Sequence, residues 1–200
     1  MSRKILVLFA HPALQRSRVH KALVAAVHDL EGVTFNDLYE LYPDFLVDVD
    51  REQTLLREHD LVVLQYPFYW YSTPALLKEW MDLVLEHGFA YGRHGTALVG
   101  KSLMSAISAG GREIAYREDG LNHYTIAELL RPVEQTARLC GMTWLPPFVV
   151  YGTHLLDDPA TAREAEDYRR VLIALRDEVV DPAALNGLDR INTDLDLIGA

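Results

Sequence analysis

The chain alternates between short segments rich in consecutive apolar residues and longer segments in which apolar residues recur every three or four positions. The first kind is typical of strands buried on both faces of a parallel sheet, and the second of amphipathic helices. Strands are predicted at 5–10, 33–37, 61–64, 102–108 and 147–151, and helices at 18–30, 50–59, 74–86, 125–139 and 160–179. This alternation predicts an α/β fold with a doubly wound, five-stranded parallel sheet, for which the expected strand order is 2-1-3-4-5.

The stretch from the third strand into the next helix organises the rest of the chain. Pro67 ends the strand, and four consecutive aromatic residues follow it, namely Phe68, Tyr69, Trp70 and Tyr71. Thr73 is the predicted N-cap of a helix with Pro74 at its first position. Because ligands of open α/β sheets bind at the carboxyl ends of the strands, these aromatic side chains suit a flat conjugated ligand. An aromatic plug of the core or of a dimer interface explains the stretch equally well.

A candidate anion site follows the first strand. The loop from His11 to Arg16 leads to Ser17, the natural N-cap of the next helix. A helix N-terminus presents unpaired N–H groups and the positive end of its dipole, to which Ser17, Arg16 and Arg18 add donors. An ordinary N-cap flanked by solvated arginines is the alternative. Neither the G-x-G-x-x-G nor the Walker pattern occurs, so this is not a standard dinucleotide or nucleoside triphosphate loop.

A third candidate contact follows the fourth strand, where Ser108 and Ala109 lead into Gly110 and Gly111. Glycines permit backbone conformations and close approaches that other residues forbid, so we expect the N–H groups of this turn to reach a ligand. The polar segment 112–124 offers further substrate contacts, from Tyr116, Asn122, His123 and Tyr124. The switch point of the expected sheet lies between its first and third strands, which predicts that the three loops meet at one crevice.

Composition narrows the classes of function. Two hundred residues, half of them hydrophobic, fit one domain with its own core. A formal net charge of -10 argues against binding along a nucleic acid backbone but allows one phosphate held locally. The single cysteine, Cys140, fits a reducing compartment. The sequence contains neither a cysteine pair nor an H-E-x-x-H motif, so it gives no indication of a metal site. No apolar run is long enough to span a bilayer, so we expect a cytoplasmic protein.

Several motifs occur in order between about residues 4 and 176. They are His11-Pro12 with Ser17-Arg18-Val19, Leu38-Tyr39 with Tyr42-Pro43-Asp44-Phe45, Trp70-Tyr71-Ser72 with Pro74-Ala75-Leu76-Leu77-Lys78, Gly88-Phe89-Ala90-Tyr91-Gly92, Gly110-Gly111, and Trp144-Leu145-Pro146-Pro147-Phe148. Together they resemble the flavodoxin-fold NAD(P)H:quinone oxidoreductases, in particular the ancillary flavoproteins of the Kef glutathione-gated potassium efflux systems. The motif around Trp70 is the most specific of them.

The resemblance implies a flavodoxin-like fold with bound FMN. On matching positions, His11, Ser17, Arg18, Val19 and His20 would hold the phosphate and ribityl chain, Pro67, Phe68, Tyr69 and Trp70 would line the isoalloxazine, and Ser108, Ala109, Gly110 and Gly111 would bond its polar edge. The larger quinone reductases also place a tyrosine and then a histidine near the reacting ring. Tyr116 matches the tyrosine, whereas the histidine position falls on Asn122, with His123 adjacent, so the chain departs from a simple histidine relay.

The resemblance also implies an activity, a two-electron ping-pong transfer of hydride from NAD(P)H through FMN to a quinone. The amides of Gly110 and Gly111 would stabilise negative charge on the reduced ring, and Tyr116 would donate a hydrogen bond to the hydroquinone oxygen. The alternative function is that of a regulatory ancillary subunit of a glutathione-gated potassium efflux transporter, which would place the protein peripherally at the inner face of the cell membrane.

By family analogy we expect a homodimer with its sites at the interface. The flavodoxin-like FMN-binding domain is expected to occupy residues 1–178. Residues 179–200 then form a C-terminal tail, which either wraps a partner subunit or is a loose terminus.

Overall fold

The computed structural model describes residues 2–180, 185, 187–193 and 195–196. Within this part of the chain, six strands form one parallel sheet in the order β2-β1-β3-β4-β5, and β6 also pairs with β4. The strands are β1 (Ile5–Phe9), β2 (Val33–Asp37), β3 (Leu61–Pro67), β4 (Ser102–Ser108), β5 (Thr143–Trp144) and β6 (Phe148–Val150). The predicted fold class and strand order are therefore confirmed.

Helices cover both faces of the sheet. They are α1 (Arg18–Val27), α2 (Leu38–Leu41), α3 (Val49–Glu58), α4 (Ala75–Val84), α5 (Ile126–Leu129), α6 (Arg131–Leu139) and α7 (Asp158–Arg176). Short 3₁₀ turns lie at Leu14–Arg16, Glu113–Ala115 and Ile191–Thr193. No helix within the described residues is both long and apolar enough to cross a bilayer.

Two hydrophobic clusters pack against opposite faces of the sheet. In β1, Leu6 and Leu8 belong to the cluster on the α3, α4 and α6 side, whereas Ile5 and Val7 belong to the cluster on the α1 and α7 side. Every residue of β1, β3 and β4 is buried. A strand covered on both faces has no solvent-facing position, so β1 and the first part of β3 are continuously apolar. The polar side chains of β3 and β4, namely Gln65, Ser102, Ser105 and Ser108, are buried as well.

The edge of the sheet beyond β4 contains two short strands, so the sheet has six strands where five were predicted. β5 pairs with the start of β4 and β6 with its end, so the two lie in line along one edge of β4. Pro146 and Pro147 separate them, and neither residue has an N–H to continue the ladder. The predicted strand at 147–151 corresponds to β6 alone, and two-residue β5 is too short to leave a pattern in the sequence.

Some helices begin at other residues than predicted, and the capping interactions at their N-termini explain the differences. Asp48 caps α3 by accepting a hydrogen bond from the N–H of Arg51, so the helix begins at Val49 rather than at the predicted residue 50. The α4 helix begins after Pro74, and Thr73 makes no capping hydrogen bond. The helix predicted at 125–139 divides into α5 and α6 at Leu130, because Pro132 has no N–H to continue the helical hydrogen bonds and fits only the first turn of α6.

Helix α2 lies inside a segment that the sequence predicted as a loop. The carboxylate of Asp37 accepts hydrogen bonds from the N–H groups of Tyr39 and Glu40 and so starts the helix. Four residues make only about one turn, which is too short for a 3.6-residue period to be recognised.

The described part of the tail lies against the edge of its own sheet. Leu185 and Ile191 are buried in the cluster on the α1 and α7 side. Residues 181–184, 186, 194 and 197–200, on which the tail prediction also falls, lie outside the described residues. Wrapping around a partner subunit, like the division of the chain at residue 178, stays a prediction.

Candidate functional site

The loops that follow β1, β3 and β4 border one cleft of about 450 Å³ at the carboxyl ends of these strands. Its lining residues are His11, Ala13, Arg16, Ser17, Arg18, Val19, Pro67, Phe68, Tyr69, Ser108, Gly110, Thr153 and His154. The cleft lies where β1 pairs with β3. The loop after β1 leads to α1 on one face of the sheet, and the loop after β3 leads to α4 on the other face. The predicted convergence of three loops at the switch point is thus present in the structure.

The start of α1 forms one wall of the cleft. Ser17 caps the helix, and its Oγ accepts a hydrogen bond from the N–H of His20 at 3.1 Å. The hydroxyl hydrogen of Ser17 and the first N–H groups of the helix remain available to an anion. No carboxylate belongs to the described lining, whereas exposed Arg16 does, so this wall is positive in a protein of negative net charge.

Arg18 also holds a neighbouring loop in place. Its guanidinium donates to the carbonyl oxygen of Leu156 at 2.6 Å and to the carboxylate of Asp158 at 3.1 Å. These contacts tie the β6–α7 loop, which carries Thr153 and His154, to the start of α1. Arg18 therefore borders the cleft while its charged group is engaged outside it.

Two histidines lie close together at the cleft, His11 in its lining and His20 behind it, with their ring centroids 5.0 Å apart. The Nδ1 atom of His11 accepts a hydrogen bond from the N–H of Ala13 at 3.0 Å, so the neutral ring carries its proton on Nε2. The Nε2 atom of His20 lies 2.9 Å from the hydroxyl of Ser108, and its Nδ1 has no partner among the described residues. His20 stands behind the cleft and is absent from its lining.

Burial keeps both histidines neutral. It lowers the pKa of His11 below its usual value. It lowers the pKa of His20 to about 3, with repulsion from His11 as the smaller cause. Both rings are therefore uncharged at neutral pH and act in this site as hydrogen-bonding groups rather than as cations.

The aromatic loop divides between the cleft and the solvent. Pro67, Phe68 and Tyr69 line the cleft, with Tyr69 in edge-to-face contact with His11. The side chain of Trp70 is 93% exposed and lies outside the lining, and Tyr71 is half-exposed. Trp70 and Tyr71 have φ values of 50° and 62°, the left-handed region that costs a bulky residue about 1–2 kcal/mol. A strained loop thus presents two large aromatic groups at the mouth of the cleft.

The glycine turn is needed for space rather than for unusual backbone angles. Neither Gly110 nor Gly111 has a positive φ. A Cβ on Gly111 would lie 3.1 Å from the ring of Tyr116, and one on Gly110 would lie 3.3 Å from Nε2 of His154. Gly110 lines the cleft, whereas buried Ala109 and the neighbouring Gly111 do not.

Tyr116 stands beside the glycine turn but outside the cleft lining. Its ring lies 5.6 Å from that of Tyr151. Burial raises its pKa, with the nearby Tyr71 as the smaller cause, so the phenol stays protonated at neutral pH and is a hydrogen-bond donor. The hydroxyl of Tyr71 in turn donates to the side chain of Asn122 at 3.0 Å. Loops 68–72 and 112–124 therefore meet at the mouth.

Sequence reasoning missed three lining residues, Ala13, Thr153 and His154. Thr153 and His154 follow β6. Ligands of such sheets bind beyond the carboxyl ends of the strands, and this rule could have identified the two residues from the sequence. They were passed over because no glycine pattern or aromatic run marks the segment. The described residues contain no group of three or more histidine, cysteine, aspartate or glutamate side chains that could hold a metal ion.

A known family and its members match the chain over most of its length. The family model described as a flavodoxin-like fold matches residues 3–172. The glutathione-regulated potassium-efflux system ancillary protein KefG of Enterobacter sp. (strain 638) is 47% identical over 165 residues, which cover 82% of this chain and 90% of the relative.

Solved structures agree with this match. General stress protein 14 from Treponema denticola, in complex with FMN, is 40% identical with a TM-score of 0.81, covering 86% of this chain and 99% of its own. An NADPH-quinone reductase from P. pentosaceus is 36% identical with a TM-score of 0.77, covering 84% and 96%. A chain described as a thermophilic tryptophan halogenase enzyme from Streptomycin violaceusniger is 48% identical with a TM-score of 0.82, covering 84% and 98%.

The names of these proteins differ, which is expected because one fold hosts several chemistries. What they share with this chain is the fold and a substantial part of the sequence. The resemblance inferred from the motifs is confirmed by the KefG relatives and by the quinone reductase structure. The sheet order, the cleft at its switch point and the match over residues 3–172 together establish that this chain belongs to the flavodoxin-like fold family.

Proposed function

We propose that the protein is an FMN-dependent NAD(P)H:quinone oxidoreductase. The observation that carries the proposal is the composition of the cleft, in which a positive helix N-terminus at Ser17 faces an aromatic wall at Phe68 and Tyr69. A phosphate attached to a flat ring system needs both features in one place. The FMN complex of the Treponema denticola relative and the quinone reductase from P. pentosaceus support the same assignment.

The residues present fit an aromatic phosphate ligand. The Ser17 hydroxyl and the N–H groups of Arg18 and Val19 would hold the phosphate, with exposed Arg16 beside them. His11 and His20 would border the ribityl chain. Pro67, Phe68, Tyr69 and Trp70 would line the ring, and Ser108, Ala109, Gly110 and Gly111 would bond its polar edge. The orphaned Nδ1 of buried His20 is consistent with a polar partner entering this region.

Bound FMN would supply the redox chemistry, a two-electron transfer from NAD(P)H to a quinone in ping-pong order. The protein's own residues provide donors at fixed positions. The N–H groups of Gly110 and Gly111 would stabilise negative charge at the polar edge of the ring. Tyr116, protonated at neutral pH because burial raises its pKa, would donate a hydrogen bond to a quinone oxygen. Trp70 and Tyr71 would cover the acceptor and exclude water from the mouth.

The experiment is the visible absorption spectrum of the purified protein, with the released cofactor identified by mass. Anaerobic addition of NADPH and then of a quinone follows. We expect an FMN spectrum that bleaches on NADPH and returns on quinone. A protein that neither contains nor binds FMN would refute the proposal, and a flavin that NADPH does not reduce would refute the activity alone.

A second function, a regulatory ancillary subunit of a glutathione-gated potassium efflux transporter, is favoured by one observation. The curated relative at 47% identity carries the name of such an ancillary protein. The protein would then dock at the inner face of the cell membrane. The test is whether the protein co-purifies with a transporter of this kind from membranes that contain the transporter and not from the same membranes lacking it. Quinone turnover by the isolated protein would not decide between the two functions.

We also propose a homodimer. Large apolar side chains surround the mouth of the cleft, with Trp70 93% and Leu121 84% exposed. Exposed apolar groups in one neighbourhood are typical of interaction sites. Sedimentation of the wild-type protein and of a variant with Leu121→Lys distinguishes the states, because a monomeric wild type would contradict the proposal.

A further inference from the structure

The described residues after α7 pack along the edge of the sheet beside β6. Residues beyond 172 lie outside the family match, yet the N–H of Ile191 donates to the carbonyl of Pro147 at 2.9 Å. The side chain of Asn192 accepts from the N–H of Val149 at 3.1 Å and donates to its carbonyl at 3.0 Å. These bonds occupy main-chain groups of Pro147 and of Val149 in β6 that a further strand would otherwise pair with.

This anchoring brings Arg190 to the rim of the site. The guanidinium of Arg190 lies 3.1 Å from the carboxylate of Glu113 and 5.2 Å from the ring centroid of Tyr151. Its side chain is only 21% exposed, so both contacts are partly shielded from water. A planar guanidinium can pair with a carboxylate and lie over an aromatic ring at the same time.

Both residues that Arg190 contacts, Glu113 and Tyr151, are in turn in contact with Tyr116. Glu113 begins the 3₁₀ turn Glu113–Ala115, and the N–H of Tyr116 donates to the carbonyl of Glu113 at 2.9 Å. Tyr151 packs against the Tyr116 ring, with 5.6 Å between the ring centroids. Arg190 therefore supports the backbone turn before Tyr116 through one contact and the ring of Tyr116 through the other.

We propose that Arg190 is a positioning residue that holds Tyr116 in the orientation required to meet the electron acceptor. The inference rests on the proposed function for the role of Tyr116, while the contacts themselves do not depend on it. Loss of Arg190 frees the 113–116 turn and the Tyr151 ring together. The acceptor then binds a less ordered mouth, whereas FMN, whose phosphate and ring contacts are proposed in the loops after β1 and β3, binds as before.

The test compares Arg190→Gln with Arg138→Gln, a matched control that removes an arginine ion-paired with Glu134 on α6. Hydrogen exchange of the 113–116 amides is measured in the full chain, and the KM for a quinone is measured at saturating NADPH. For Arg190→Gln we expect about tenfold faster exchange and about tenfold higher KM, with kcat changed less than about twofold. FMN content stays at the wild-type level. Arg190→Lys, which keeps the ion pair and loses the planar group, is expected to restore part of both effects.

A second variant distinguishes the positioning of Tyr116 by Arg190 from a general stabilisation of the β6 edge by the tail. Asn192→Ala removes two bonds to Val149 and leaves the guanidinium in the chain. We expect faster exchange at 148–150 in this variant and a smaller effect at 113–116 than Arg190→Gln causes. Equal effects of the two variants at 113–116, or wild-type exchange and KM in Arg190→Gln, would overturn the proposal. A wild-type protein without quinone activity would refute the proposed function, while the exchange data would still decide whether Arg190 orders the turn.

Discussion

His20 on α1 and Ser108 at the end of β4 are joined by a contact of 2.9 Å between Nε2 and the hydroxyl oxygen. The contact links the helix that carries the positive wall of the cleft to the strand that leads into the glycine turn. Ser108 lines the cleft, whereas His20 stands behind it. A ligand that bonds to Ser108 therefore meets a hydroxyl whose second partner is a buried, neutral histidine.

The burial of His20 predicts a pH dependence of stability. Its pKa is lowered to about 3 in the folded protein, whereas an unfolded chain has about 6.5. Between these values the unfolded state binds more protons, so the free energy of unfolding falls as pH drops below about 6.5. The expected contribution of this residue is a loss of about 2 kcal/mol between neutral pH and pH 5.

Urea unfolding of the wild type and of His20→Gln at both pH values measures this contribution, with both proteins in the same flavin state. Glutamine is neutral throughout and offers a polar group to Ser108. The variant is expected to lose less stability on acidification than the wild type, and the difference removes the contributions of His11 and the carboxylates. An equal loss in both proteins would contradict the burial of a neutral His20.

Ser17→Asp is predicted to abolish flavin retention. Aspartate is as good an N-cap as serine, so α1 is preserved, but its carboxylate would oppose the phosphate. At a separation of about 4 Å the repulsion is about 1–4 kcal/mol, or about 5- to 1,000-fold in affinity. The measurement is FMN titration followed by absorbance. Ser17→Thr is the neutral control, and full flavin occupancy in Ser17→Asp would remove the anion site.

Trp70→Ala is predicted to separate stability from ligand binding. Because the side chain is 93% exposed, its removal should change the free energy of unfolding by no more than about 0.5 kcal/mol in the flavin-free protein. If Trp70 covers the ring, added FMN should raise the melting temperature less in Trp70→Ala than in the wild type, with Trp70→Phe in between. Identical FMN-induced shifts in the three proteins would exclude a flavin contact by this side chain.

Glu52 on α3 is a fully buried carboxylate that connects its helix with β2, with α4 and with the residue that follows α2. It accepts hydrogen bonds from Asn36, Tyr42, Trp80 and Arg51. Its replacement leaves several donors buried without a partner, and each such donor costs about 1–3 kcal/mol. Glu52→Leu is therefore predicted to lower the free energy of unfolding by about 3–5 kcal/mol.

Glu58 on the same helix provides the control for Glu52. It is exposed at the last position of α3, so Glu58→Leu should change the free energy of unfolding by no more than about 0.5 kcal/mol. Denaturant unfolding of both variants decides the point. Similar losses would show that helix composition, rather than the buried hydrogen bonds, controls stability.

The amino-acid sequence by itself determined the sheet and the place of the cleft. Continuous apolar runs identify β1 and the first part of β3, because a strand covered on both faces has no solvent-facing position. In β4 small serines are interspersed with apolar residues and are buried with them. The alternation of strands and helices predicts the strand order, and the strand order predicts where the loops at His11, Pro67 and Ser108 meet. These are local or topological properties, so they can be read without knowing any particular contact.

Only the tertiary structure decided which of the candidate side chains line that cleft, which lie behind or outside it, and what holds them in place. Arg18 faces Leu156 and Asp158, His154 reaches Gly110, and Arg190 joins Glu113 to Tyr151. Each of these contacts connects segments that are far apart in the chain. Such contacts depend on how helices and loops pack on the sheet, and packing depends on shape and distance in three dimensions, which no periodicity or spacing in the sequence records.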